Sequence, residues 1–273
     1  MISRNSFVVL VGAMTACLLT TNVQAQSAFA GFYGQISTGY ESNQLGSVSG
    51  SSNATPYAKS DSVITGSSQT FGGAPLVLGA GYYWKANDKW LIGLGADYSA
   101  LTQTSSNIPF NRSNAAGSTL IPAGETLTNN GTTLQLSNRF NLFLTPAYAI
   151  DKDKLVYLKA GYSQVTAQYN RGTSLTRTTA NGVSTTSPTV GGSQSSNQGG
   201  YLIGLGYKQI ITSGMYGFIE GNYMSYTAPS YSFTGNNGAD RVYSATTIPT
   251  RSVTTSFASL NSFQALIGLG YAF

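Results

Sequence analysis

The sequence predicts an all-β chain, a closed antiparallel up-and-down transmembrane β-barrel of eight strands, with short periplasmic turns and four long extracellular loops. Three observations predict it. Apolar residues alternate with small or polar ones in eight segments, each about the 9–11 residues that a tilted membrane strand needs. The connections alternate between tight turns and long stretches rich in Ser, Thr, Asn and Gly, the asymmetry of a membrane barrel. Charged residues make up only 8% of the 273, yet mean hydropathy is near zero, so the polarity is carried by uncharged side chains. Aromatics at 12% in alternating segments exclude disorder.

The chain opens with Arg4, an apolar run from Phe7 to Leu19, and Val23-Gln24-Ala25. That order predicts a secretory signal peptide over residues 1–25 and one barrel domain over 26–273. The run is shorter than the roughly 18 apolar residues of a spanning helix, and no other stretch approaches that length. Cys17 lies inside it and leaves with it, so no thiol chemistry is expected of the mature chain. A lipoprotein cleavage at Cys17 is the alternative, although it would leave Leu18-Leu19 where a polar linker belongs. Losing Arg4 lowers the formal charge of +5 by one, and the remaining charges form no basic stripe, which excludes a nucleic-acid partner.

The first strand, Phe32 to Tyr40, sets Phe32, Ile36 and Tyr40 against Tyr33, Gln35 and Ser37. The second carries Leu76, Leu78, Ala80, Tyr82 and Trp84 on one face. The third aligns Trp90, Ile92, Leu94, Ala96 and Tyr98 opposite Gly93, Gly95, Asp97 and Ser99. The fourth, about Leu134 to Tyr148, sets Phe140, Leu142, Leu144 and Tyr148 against Arg139, Asn141 and Thr145. Then come Val156 to Tyr162, Tyr201 to Tyr207, Ile219 with Tyr223, and Phe263 to Phe273. In the seventh, Glu220 decides the direction, because a carboxylate facing lipid is costly. Tight turns at Lys85 to Lys89, Asp151 to Lys154 and Thr212 to Gly214 fix the register. Trp84 is expected to meet Trp90, and Tyr148 to meet Val156. Trp84, Trp90, Tyr148 and Tyr207 then form an aromatic girdle at headgroup level. Gly79/Gly81, Gly93/Gly95, Gly204/Gly206 and Gly268/Gly270 all fall on the inward parity, where they relieve crowding.

The ending Gly268-Leu269-Gly270-Tyr271-Ala272-Phe273 resembles the C-terminal insertion signal of bacterial outer-membrane proteins, with Gly268, Tyr271 and Phe273 at the matching positions; Leu266 departs from its usual polar start. With Gly31-Phe32-Tyr33-Gly34, the mature chain resembles the small outer-membrane barrels of the outer membrane protein A and opacity type. The resemblance covers the strands, not the loops. It implies a Gram-negative outer membrane, with lipid, lipopolysaccharide and the barrel assembly machinery as partners. With nothing after Phe273, the wall-binding domain that some relatives append is expected to be absent.

There is no histidine, which removes the commonest general base and metal ligand. Outer-membrane barrel enzymes resemble one another in relying on one, so no enzyme, cofactor or metal is expected. Asp240 and Glu125 sit in loops without a convergent partner, and the Gly-x-Gly pairs lack the third glycine and helix of a phosphate loop. Inward parity gathers Asp97, Arg139, Lys159, Lys208 and Glu220, with Gln35, Asn141 and Gln264 around them. Buried charges must pair, so Asp97 is expected with Arg139, and Glu220 with Lys159 or Lys208. Such a lumen is either a structural plug or a gated, weakly anion-preferring path. The loop aromatics Tyr57, Phe71, Phe110, Tyr231, Phe233 and Tyr243 either form adaptable contacts or extend and cap the barrel. Arg171 and Arg177, in a loop without an acid, suit lipopolysaccharide phosphates. The expected role is structural or surface-interacting; the alternatives are a small porin, or an adhesin reaching host or matrix ligands through the loops.

Overall fold

Alternation persists along this chain well beyond the length a membrane strand needs, and the strands are correspondingly long. The computed structural model describes residues 28–55, 60–114, 123–188, 191–236 and 250–273. The expected signal peptide, Cys17, Tyr57, Asp240 and Tyr243 lie outside the described residues. In chain order the strands are β1 Gly31–Leu45, β2 Val48–Thr55, β3 Ser60–Gly66, β4 Gln69–Gly73, β5 Leu76–Lys85 and β6 Trp90–Ser99. They continue with β7 Gln103–Thr104, β8 Phe110–Asn114, β9 Thr126–Asn130, β10 Thr133–Asp151, β11 Lys154–Arg171 and β12 Ser174–Thr178. The last are β13 Ser184–Pro188, β14 Gly192–Thr212, β15 Met215–Tyr226, β16 Ser230–Asn236, β17 Thr250–Phe257 and β18 Leu260–Ala272.

Eight of these strands close a ring in the order β1, β5, β6, β10, β11, β14, β15, β18, with β18 returning to β1, and every pairing is antiparallel. Closure lets the wall's N–H and C=O groups pair inside the protein, which hydrocarbon demands. The outward face is apolar and exposed: Ile36 is 49% exposed, Leu158 62%, Leu205 66% and Ile267 63%, a surface unsuited to water. Aromatic rings rim this belt at both ends. Trp84, Trp90, Tyr148, Tyr207 and Tyr271 lie toward the tight turns, and Tyr40, Tyr98, Tyr162, Tyr201 and Tyr223 toward the long connections.

The long connections are not plain loops. Their hairpins build a second eight-stranded sheet in the order β13, β12, β9, β8, β3, β2, β17, β16. That order repeats the ring below, so the crown prolongs the same barrel. Between β14 and β16 the wall is joined by side chains, with Gln194 Nε2 donating to the Ser232 carbonyl at 2.7 Å. Polarity inverts at the crown without a change of parity. In β11 the outward residues pass from Val156, Leu158 and Tyr162 to Gln164, Thr166, Gln168 and Asn170. The inward ones pass from Lys159 and Ser163 to Val165, Ala167 and Tyr169, which are 0–2% exposed. Phe71, Phe110, Tyr231 and Phe233 join this apolar crown core, so these loop aromatics cap the barrel rather than offering an adaptable surface.

Two local departures from the sequence expectation have clear causes. Leu134 and Leu136 share even parity with the outward Phe140 yet are 0% and 2% exposed. A bulge between Ser137 and Phe140 reverses the pleat, with Asn138 at φ 51°. Asn tolerates that left-handed conformation, and the Tyr98 hydroxyl donates to its Oδ1 at 2.9 Å. Trp84 does not meet Trp90: the Asn87 carboxamide oxygen accepts the N–H groups of Lys89 and Trp90, and this turn places Trp84 opposite Ile92. Trp90 instead meets Tyr148 on the next strand, rings 5.2 Å apart, while Tyr148 is opposite Val156 as expected.

Two outcomes test this description. A Cβ on Gly95 would lie 2.5 Å from the Tyr33 hydroxyl and 2.6 Å from the Phe143 ring. Gly95→Val therefore destabilises by about 1–3 kcal/mol, the usual cost of overpacking, read as an earlier loss of the compact gel mobility on heating. In the turn between β10 and β11, the Asp153 N–H and then the Lys154 ammonium hold the Asp151 carboxyl below its ordinary value. A depressed carboxylate stabilises above its unfolded value of about 3.9, and that contribution is lost as pH falls through the folded value. Lys154→Met moves the Asp151 midpoint upward in a carboxyl-detected NMR titration; an unmoved midpoint contradicts the pairing.

Candidate functional site

Eight strands leave a bore narrow enough for side chains to fill it, and here they fill it in layers. At the turn end Tyr33, Tyr83, Tyr157, Tyr216 and Phe218 form an aromatic floor. The inward glycines make room for it: a Cβ on Gly206 would lie 2.3 Å from the Tyr157 ring, and one on Gly270 would lie 2.3 Å from that of Tyr216. The Lys208 ammonium sits within this floor, 4.0 Å from the Tyr33 ring centre and 4.8 Å from that of Tyr216, and donates to Gln35 Oε1 at 3.1 Å. Ring faces and a carboxamide thus surround it, and Glu220 takes the other of its two expected partners, Lys159.

Above the floor, Lys159 bridges two acids, at 2.7 Å to Asp97 and 2.9 Å to Glu220. Each acid has further donors. Tyr157 donates its hydroxyl to Glu220 at 2.6 Å, Asn222 donates to Glu220 at 2.7 Å, and Asn141 donates to Asp97 at 2.6 Å. Phe143 covers the ammonium with its ring centre at 4.0 Å.

The next layer centres on Arg139, which forms an ion pair with Glu41 rather than with Asp97. Its other donors reach Tyr226 at 2.9 Å, Ser262 at 3.0 Å and Asn43 at 3.2 Å, while Gln264 and Asn43 donate to Glu41 at 2.7 and 2.9 Å. Glu41 lies one residue past the Phe32 to Tyr40 segment read from the sequence. The inward series 33, 35, 37 continued along β1 would have reached it.

The structure therefore brings together all five lumen charges named from the sequence and adds a sixth. Three cations and three carboxylates share these layers, and none is more than 6% exposed; higher up, Arg112 faces inward beside Ile64 and Leu127 at 1% exposure. The packed apolar residues of the crown lie above these layers. In the crown, Arg177 is held by both oxygens of Glu125 at 2.8 Å, an acid supplied by the preceding long connection, so that arginine is not free for phosphate. Gly268 stands where a Cβ would press on Phe218, and Tyr271 and Phe273 face outward with their rings 5.0 Å apart.

No family model and no curated protein matches the chain. Among solved structures it is similar to the outer membrane protein OprG of Pseudomonas aeruginosa, at 14% identity and a TM-score of 0.46, over 92% of this chain and 99% of that one. It is similar to the outer membrane protease OmpT of Escherichia coli, at 12% identity and a TM-score of 0.43, over 89% and 97%. A third is the attachment invasion locus protein Ail of Yersinia pestis, at 13% identity and a TM-score of 0.33, over 89% and 99%. None reaches a TM-score of 0.5. The chain's own strand pairings show its fold, an eight-stranded antiparallel β-barrel.

The Lys159 bridge gives a sharp expectation. Lys159→Met leaves two buried carboxylates unpaired and costs about 3–5 kcal/mol in urea unfolding from lipid vesicles. Asp97→Asn and Glu220→Gln, added to Lys159→Met, restore most of that loss. A triple variant no better than the single one would show that the layer is not held by charge pairing.

Proposed function

We propose that this chain is an exported integral outer-membrane β-barrel with a structural and surface role, that it is non-enzymatic, and that its lumen does not conduct. The observation that carries this reading is the layered closure of the bore. Five charged groups pair with one another there at 6% exposure or less, between an aromatic floor that encloses Lys208 and the crown core. An ion entering would have to separate pairs already desolvated, at several kcal/mol each. The apolar belt and its two aromatic rims support a membrane setting, and the lack of any histidine supports a non-enzymatic role. The C-terminal residues Gly268, Tyr271 and Phe273 would serve recognition by the barrel assembly machinery, and the aromatic rims would sit at the lipid headgroups.

Planar-bilayer recording tests the closed lumen. Wild type, Arg139→Gln and Glu220→Gln should all show negligible single-channel conductance. Steady channels in wild type, with selectivity altered in either variant, would replace this reading with a small porin.

A further inference from the structure

The crown has an outer wall as uniform as the apolar belt beneath it, and of opposite character. Along β2, β3, β8, β9, β12, β13, β16 and β17, the outward residues with described side chains are Ser, Thr or Asn, apart from Val63 and Pro188, and none is charged. Thr128 bonds Asn111 at 2.7 Å, Thr176 bonds Thr186 at 2.8 Å, and Ser230 bonds Ser256 at 2.8 Å, so the hydroxyls stand in ordered rows across the strands. A hydroxyl donates once and accepts twice, so each keeps capacity beyond its neighbour. Rows already fixed lose little rotamer freedom when a partner arrives.

We propose that this wall is a saccharide-contact surface, fitted to the neutral sugar chains carried by lipids of the surrounding leaflet. The proposal rests on the outer-membrane reading above. Three observations choose this partner. Among the described residues the wall bears no cation to hold phosphate and no acid to bridge metal ions, so its match is another neutral, hydroxyl-rich polymer. It occurs on every crown strand, so its partner encloses the barrel, whereas a soluble ligand would dock on one side. It begins directly above the rim of Tyr40, Tyr98, Tyr162, Tyr201 and Tyr223, continuous with the surface that lipid would cover.

The full chain would be placed in nanodiscs of phospholipid alone, of lipopolysaccharide truncated to its phosphate-bearing inner portion, and of lipopolysaccharide with long neutral saccharides. A soluble gadolinium chelate then reports the accessibility of the Thr65, Thr128, Thr176 and Thr254 methyls by NMR. At least threefold weaker relaxation is expected in the long-saccharide discs only. In Thr128→Val/Thr176→Val/Thr254→Val, which keeps methyls but removes hydroxyls, most of that protection is lost. Ser232→Ala with Thr254→Val serves as the milder pair if the triple variant does not fold. Equal relaxation in all discs overturns the proposal, as does equal protection of the valine variant, which would mean crowding without contact. Protection already complete with the truncated lipid, or reproduced by free neutral polysaccharide over phospholipid discs, overturns it too. A chain that inserts as a folded barrel in none of the discs instead refutes the membrane reading beneath it.

Discussion

A sheet facing hydrocarbon cannot leave an edge, and most of this molecule follows from that constraint. Closing the ring between β18 and β1 satisfies the wall, but it also encloses a bore of fixed width whose contents must then fit. Glycines on the inward parity and bulky tyrosines opposite them are two sides of one packing solution. Gly81 and Gly95, for instance, both lie against the single hydroxyl of Tyr33. The charged layers follow from the same enclosure, because polar side chains shut away from water must saturate one another.

Strand number, direction and the inward or outward sense of the ring were legible because alternation survives in each membrane segment. The aromatic residues Trp84, Trp90, Tyr148 and Tyr207 all lie on the outer face, as their parity requires. Pairing within the lumen was less legible. Parity assigns a face but not a height, and partners on different strands depend on stagger; parity alone allows Arg139 with Asp97, whereas the stagger of the strands sets it beside Glu41. Turn geometry was the other gap. Asn87 captures two amides and shifts the hairpin, so Trp84 and Trp90 part company.

The crown was hidden for a different reason. Ser, Thr, Asn and Gly dominate its strands, and such residues ordinarily mark turns. The signal was present nonetheless: after Tyr162 the sequence Gln164-Val165-Thr166-Ala167-Gln168-Tyr169 still alternates, with the apolar members moved to the inner face. An exchange of polarity at constant parity marks where a barrel wall leaves lipid for water. Asn138 marks the same level on β10 in another way, by reversing the pleat so that Leu134 and Leu136 can turn inward.

That exchange gives one barrel two thermodynamic characters. The crown core of Tyr169, Tyr231, Phe257 and their neighbours is gathered out of water, so its cohesion carries the heat-capacity signature of apolar hydration and weakens on cooling. The belt below keeps its apolar side chains in an apolar medium whether or not they pack against protein, and it holds instead through backbone bonds and paired charges. Cold and heat therefore act on the two ends of the same strands unequally, and cooling weakens the cohesion of the crown core more than that of the belt.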